Sequence, residues 1–259
     1  MKIDLLRKLL ESDALRLYAQ PKWTFGQNTC NTYEVFADKI RMADGELTSC
    51  RDIIDEIESD PDLTLLFSEW FLRKAVTAGL SVSERSDANV TLSLNLLPHF
   101  ANQPDFAEKV RSLLDEVGLM PYKLHFELSE AQLLNAEGIR NLNVLHDEDH
   151  VGLWLGNFGK GYSNMDLLRN VHFDGIELDR SYAAAIPDDE QTCRVVVAIQ
   201  HMADTLDLQV CAKGIENIEQ FQFFEGLGFL KGQGYMIKEP MPVEEMTEYL
   251  REHGKHRRH

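Results

Sequence analysis

Cysteine is scarce. Only Cys30, Cys50, Cys193 and Cys211 occur in 259 residues, and no two stand in CxxC spacing. That excludes a disulfide framework and a cysteine-ligated zinc site. Positive charge is scarce too: 26 Lys+Arg face 43 Asp+Glu, a formal charge of −17. A general nucleic-acid binder neutralises phosphates over a broad basic face, so direct nucleic-acid binding is not expected. A small nucleotide in a local pocket, or docking on a basic protein, stays compatible with this charge. No apolar run reaches the ~18 residues of a membrane-spanning helix, so no membrane role is expected. Met1-Lys2-Ile3-Asp4 is not followed by an apolar segment with a small-residue cleavage site. No signal peptide is therefore predicted, and the expected location is cytoplasmic. Linkers rich in proline or serine are missing as well, which predicts one domain over residues 1–259.

What is present is a regular alternation of short β-type runs and amphipathic helical runs. Leu15–Pro21 and Asn31–Ile40 read as strands joined through Gly26-Gln27-Asn28, an early β-hairpin. Helices follow at Arg51–Glu58 and Asp62–Leu80, the second carrying Leu63, Leu66, Phe67, Trp70 and Phe71 on one face. Six strand–helix units come next, with strands at Asn89–Leu96, Lys123–Glu130, Val151–Phe158, Gly175–Asp179, Leu208–Ala212 and Leu230–Ile237. The helices between and after them are read at Asp105–Val117, Glu137–His146, Met165–Asn170, Asp189–Leu206, Ile218–Leu227 and Val243–His253. This order predicts an α/β fold, a TIM-like (β/α)8 barrel whose first strands are atypical. The basic end, Gly254 to His259, is expected to fray.

A barrel of this kind carries its active site at the carboxyl ends of the strands. The polar residues there are Gln20, Glu34, Asn95, Glu127, Asn157 beside Gly156, Glu177 with Asp179, Lys213 with Glu216, and Gln233. Glu34, Asn95 and Glu127 form an oxygen-only set that suits Mg²⁺, Mn²⁺ or Ca²⁺. Trp23, Trp70 and Trp154 follow core patterns. His99 and His172 read as loop residues near the mouth without a partner at metal spacing.

Several of these segments stand in motifs. They are Tyr18-Ala19-Gln20-Pro21, Glu34-Val35-Phe36, Ser93-Leu94-Asn95-Leu96 and Glu127-Leu128-Ser129-Glu130. Further along come Asn157-Phe158-Gly159-Lys160-Gly161-Tyr162-Ser163, Glu177-Leu178-Asp179-Arg180-Ser181-Tyr182 and Ala212-Lys213-Gly214-Ile215-Glu216. Gln233-Gly234-Tyr235, followed by Lys238-Glu239-Pro240, closes the series. In this order, from about residue 15 to 250, the chain resembles the EAL-domain cyclic di-GMP phosphodiesterases. The segments stand where the family has YQP, EAL, the Asn-bearing strand, ExTE, DDFGTGYS, KIDRSF, AEGVE, and QGY with KP.

The resemblance implies a site in which these carboxylates and the Asn hold two divalent metals that activate water against a phosphodiester. Four positions depart from it. Gly156 and Asn157 replace the paired aspartates, Glu177 replaces the lysine, and Lys213 replaces the glutamate. Two adjacent divalent ions need anionic ligands to offset their repulsion. Glu34, Asn95, Glu127, Asp179, Glu216 and Gln233 would then be a remnant pocket without catalytic residues. No metal cofactor is expected; one weak Mg²⁺ or Ca²⁺ position at Glu34, Asn95 and Glu127 is the most these donors allow. The exchange of Lys and Glu between two strands predicts the Lys213 ammonium among Glu34, Glu127 and Glu177.

The function expected from this reading is a catalytically inactive regulatory domain. It would work by protein–protein interaction, with a transcriptional regulator as a candidate partner. The alternative is a non-hydrolysing cyclic di-GMP receptor using Gln20, Glu34, Asp179 and Glu216, disfavoured because Asp38 stands where the family has an arginine. A residual phosphodiesterase ranks last.

Overall fold

A computed structural model describes residues 3–42, 45–129, 134–160 and 165–254. Helix α1 (Ile3–Glu11) leads into the hairpin of β1 (Leu15–Thr24) and β2 (Thr29–Arg41). A short β3 (Leu47–Ser49) precedes α2 (Arg51–Glu58) and α3 (Pro61–Ser86). The regular part follows as β4 (Thr91–Asn95), α4 (Pro98–Ala101), α5 (Phe106–Val117), β5 (Leu124–Ser129), α6 (Ala136–Asp147) and β6 (Gly152–Phe158). It continues as α7 (Met165–Asn170), β7 (Gly175–Leu178), α8 (Arg180–Ala185), α9 (Glu190–Thr205), β8 (Gln209–Lys213) and α10 (Ile218–Leu227). The chain finishes with β9 (Lys231–Gln233), β10 (Met241–Pro242) and α11 (Met246–His253).

Strands β2, β4, β5, β6, β7, β8 and β9 pair in parallel succession, and β1 closes the ring. The fold is a closed eight-stranded (β/α)8 barrel with one antiparallel member, since β1 runs against both β2 and β9. The hairpin explains that exception: a two-stranded turn can only return the chain antiparallel. Both hairpin strands outrun the barrel. Their overhang pairs with β3 on one side and β10 on the other.

Local sequence sets the boundaries. Helix α3 starts where the Asp60 side chain accepts from the N–H groups of Asp62 and Leu63, with Pro61 in the first turn. It runs six residues past the expected Leu80 and stops at Asp87, whose backbone is left-handed at φ 55°. Weak polar periodicity after Leu80 hid that extension. The last strand is shorter than expected, covering Lys231–Gln233 only, because Met236, Ile237 and Lys238 turn back onto Ile215 and Gly234. At the basic end, Gly254 bridges to Cys30 and so is anchored rather than frayed; residues 255–259 lie outside the described residues. No described helix is long and apolar enough to cross a membrane.

Alternate side chains of each barrel strand point inward. The outer inward layer holds Glu34, Glu127, Glu177, Lys213 and Gln233. One layer deeper lie Lys22, Thr32, Ser93, His125, Trp154 and Lys231. Gly175 makes room there, because a Cβ at that position would sit 2.6 Å from the Trp154 ring.

Candidate functional site

The mouth of the barrel is a compact charge cluster. Lys213 Nζ lies 3.1 Å from Glu34 Oε2, 2.9 Å from Glu127 Oε2 and 2.8 Å from Glu177 Oε2. The ammonium thus sits among the three carboxylates that the exchange between β7 and β8 predicted. Glu34 has no oxygen to spare: Asn95 Nδ2 donates to Oε1 at 3.0 Å and Gln233 Nε2 to Oε2 at 3.0 Å.

A second ammonium lies beneath the first. Lys22, 2% exposed, bridges Glu127 and Glu177, and Ser93 donates to Glu127 as well. Reading strand ends from the sequence misses Lys22, because β1 runs antiparallel and turns its first half, not its last, to the mouth. The signal was nevertheless present. Lys22 shares the inward face of Gln20 by strand period two, and a charge on an interior face needs a partner.

Burial penalises every charge in this cluster, and pairing decides which ones persist. For Lys213 and Lys22, burial alone would favour the neutral amine; Glu127 and Glu177 outweigh it and hold both pKa values above the usual range. Glu127 is also pressed upward by burial, but Lys213 and Lys22 bring it well below the ordinary carboxylate value. Glu177 absorbs the remaining conflict. Burial and the neighbouring Glu127 push it up to about 7. Deeper in the barrel, Lys231 donates to Thr32 at 2.9 Å and lies 5.0 Å over the Trp154 ring, and burial lowers its pKa to about 8. Three lysines therefore balance three glutamates inside the barrel.

The remaining expected residues line a cleft of about 740 Å³ above this cluster. Gln20 donates to Lys238 O at 3.0 Å, and Asp179 caps α8 through the Ser181 N–H at 3.0 Å. Glu216 is exposed at the rim. Asn157 is exposed with a left-handed φ of 53°, while Gly156 is buried. A Cβ at Gly156 would stand 3.9 Å from Glu177 Oε2, so the Glu177 carboxylate reaches the space beside the missing side chain. Glu130, Gly161, Tyr162 and Ser163 of the motifs lie outside the described residues. Sequence reasoning also missed Arg51, which reaches the cleft from the start of α2. With it, Arg51, Lys160, Arg180 and Lys213 match Glu34, Asp38, Asp179 and Glu216 around the rim.

These donors do not fit a pair of divalent cations. Gly156 offers no ligand, an ammonium stands between the carboxylates, and Glu34 accepts from two amides.

Two histidine expectations need correction. His99 lies in α4 rather than in a loop, and His172 lies before β7, at the amino end of the barrel, far from the mouth in the fold. Nor is His172 alone: His146 and Asp147 lie within ligand distance of it. The sequence separates these residues by a whole strand, which concealed their proximity.

Residues 3–240 match the family model of the EAL domain. The chain belongs to the EAL-domain family. Among curated relatives, this EAL domain is similar to the cyclic di-GMP phosphodiesterase NbdA of Pseudomonas aeruginosa, with 28% identity over 95% of the chain and 31% of NbdA. The chain spans only 30% to 31% of the length of that protein and of y4lL from Sinorhizobium fredii. Among solved structures, the EAL enzyme Bd1971 bound to cAMP and cyclic di-GMP superposes with a TM-score of 0.88 at 22% identity. That match covers 95% of this chain and 67% of Bd1971. The MucR phosphodiesterase in complex with cyclic di-GMP gives 0.83 at 25% identity, covering 94% and 98%. The barrel is the frame this chain shares with these structures.

Proposed function

We propose that this EAL domain is a catalytically inactive regulatory domain that works by protein–protein contact, with a transcriptional regulator as the class of partner. It uses no metal cofactor at the barrel mouth. The observation that carries the loss of catalysis is the Lys213 ammonium held between Glu34, Glu127 and Glu177. Hydrolysis at the mouth needs a Lewis acid to ionise water, or a free base to take its proton. An ammonium has no open coordination position. Lys213 and Lys22 stay protonated and cannot serve as bases. Glu34 and Glu127 already accept from Asn95, Gln233, Lys22, Ser93 and Lys213, and Glu177, fully buried, is held between Lys22 and Lys213. The acidic chain, at −17, supports a partner with a basic docking face.

A second reading, the non-hydrolysing cyclic di-GMP receptor, is favoured by one observation. The cleft of about 740 Å³ lies within the range of small-molecule sites, and its rim charges balance. Titration calorimetry with cyclic di-GMP, with and without Mg²⁺, separates the two. The leading reading expects no saturable heat at micromolar nucleotide. It also expects a purified candidate regulator to bind the chain with an affinity that falls as salt is raised. Low-micromolar, Mg²⁺-independent nucleotide binding replaces it with the receptor reading.

A further inference from the structure

At the amino end of the barrel, opposite the mouth, three metal-type ligands converge. His146 Nδ1 lies 2.9 Å from Asp147 Oδ1. His172 Nδ1 lies 3.0 Å from the same oxygen and 3.0 Å from Oδ2. The two imidazole rings stand at 72°, with centroids 6.1 Å apart. Among the described residues, this is the one trio of His, Cys, Asp or Glu side chains whose ligand atoms all lie within 4.8 Å of one another.

Two further features go beyond an ordinary ion pair. The other nitrogen of His146, Nε2, faces Asp174 Oδ1 at 3.3 Å, and Asp174 Oδ2 is fixed by the Leu153 N–H at 2.8 Å. Once a cation displaces the proton between Nδ1 and Asp147, the carboxylate on the far nitrogen holds the ring N–H at Nε2 and leaves Nδ1 as the ligand lone pair, which is the usual support of a metal-bound histidine. The segment carrying His172 is also held in place before any ligand arrives. Its backbone N–H donates to Asn143 Oδ1 at 3.0 Å, and Asn143 Nδ2 donates to Asn170 O at 2.9 Å. Both partners of the site are thereby pinned to α6.

We propose that His146, His172 and Asp147 bind one Zn²⁺, with Asp174 as the positioning residue and water in the fourth place. Two imidazoles and one carboxylate form a donor set that Zn²⁺ takes readily. Tetrahedral bonds of about 2.0–2.1 Å need ligand edges of about 3.3 Å, so the two Asp147–imidazole edges, at 2.9 and 3.0 Å, open by a few tenths of an ångström while the imidazole nitrogens, within 4.8 Å of each other, adjust to the ion. The ion would join the end of α6 to the segment entering β7, a staple for the packing of α7 between them.

The test uses the full chain, stripped with EDTA and dialysed. Titration with ZnCl₂ in a calorimeter is expected to show one saturable site of low-micromolar Kd. Thermal unfolding at a hundredfold excess over Kd is expected to rise by about 5–10 °C. His172→Gln and His146→Gln, checked for fold by circular dichroism, should each weaken binding at least a hundredfold and remove nearly all of that rise at the same Zn²⁺ concentration. Asp174→Asn should weaken binding about 10- to 100-fold. Co²⁺ in place of Zn²⁺ should give a tetrahedral visible spectrum that both histidine variants remove. No saturable binding up to millimolar Zn²⁺ overturns the proposal. So does binding that survives the double histidine variant and disappears instead with His256→Ala and His259→Ala.

Discussion

Lys22→Met is expected to lower the unfolding free energy by about 3–5 kcal/mol, the largest loss from any single change at the mouth. The methionine fills the same space, so the effect is electrostatic. Glu127 and Glu177 lose their shared cation at a position 2% exposed, and water cannot replace it. Lys213→Met is expected to cost less, because that side chain is 20% exposed and solvent reaches the carboxylates it leaves. Adding Glu177→Met to Lys22→Met should recover most of the loss, since it removes the stranded charge as well. Urea denaturation of the four proteins measures this. An unchanged midpoint for Lys22→Met, with unchanged slope, would contradict the buried network.

The second large effect is acid sensitivity. His125 packs beside Trp154, and burial, with Lys231 and Lys22 nearby, lowers its pKa to about 3 from an ordinary 6.5. The folded state therefore binds fewer protons than the unfolded chain between those values, and stability falls as pH drops through that interval. The full effect is about 5 kcal/mol. Glu177 acts in the opposite sense. Its folded pKa of about 7 exceeds the unfolded 4.5, so its contribution is complete below 4.5 and is lost as pH rises through 7. From pH 6.5 to 4.5 the two offset each other. Below 4.5 only losses remain, because Glu127, held well below its usual value, begins to favour the unfolded state as well. Stability should thus be nearly flat from pH 6.5 to 4.5 and fall steeply below. His125→Gln should soften the acid limb, and Glu177→Gln should move its onset up toward pH 6.5. Chemical denaturation across this range checks both; an acid limb identical in wild type and His125→Gln would refute the assignment.

The barrel was legible in the chain because each β7-type run, such as Gly175 to Leu178, is short, apolar and followed by a helix start such as Asp179. The mouth was legible because polar residues end those runs, and the paired exchange at Glu177 and Lys213 announced an ion pair. Lys22, Lys231 and His125 were not found. They lie one layer inside, where a sequence pattern shows a polar residue in a strand but not which charge faces it across the barrel. Helix α1 and strand β10 escaped for a different reason. They are short elements stabilised by the packing of Leu6 and Leu10 and by pairing with Tyr18 and Ala19, both of which are tertiary. The His146–His172 pair needed the fold to bring α6 beside the segment before β7.

We propose that the Lys213 ammonium held among Glu34, Glu127 and Glu177, with Lys22 beneath it, leaves the mouth unable to generate an attacking hydroxide. Incubation of the purified chain with cyclic di-GMP and Mg²⁺ or Mn²⁺, with chromatography of the nucleotides, tests it most directly. Intact cyclic nucleotide after prolonged incubation is expected; linear dinucleotide accumulating in proportion to protein, and suppressed by EDTA, would show an active phosphodiesterase.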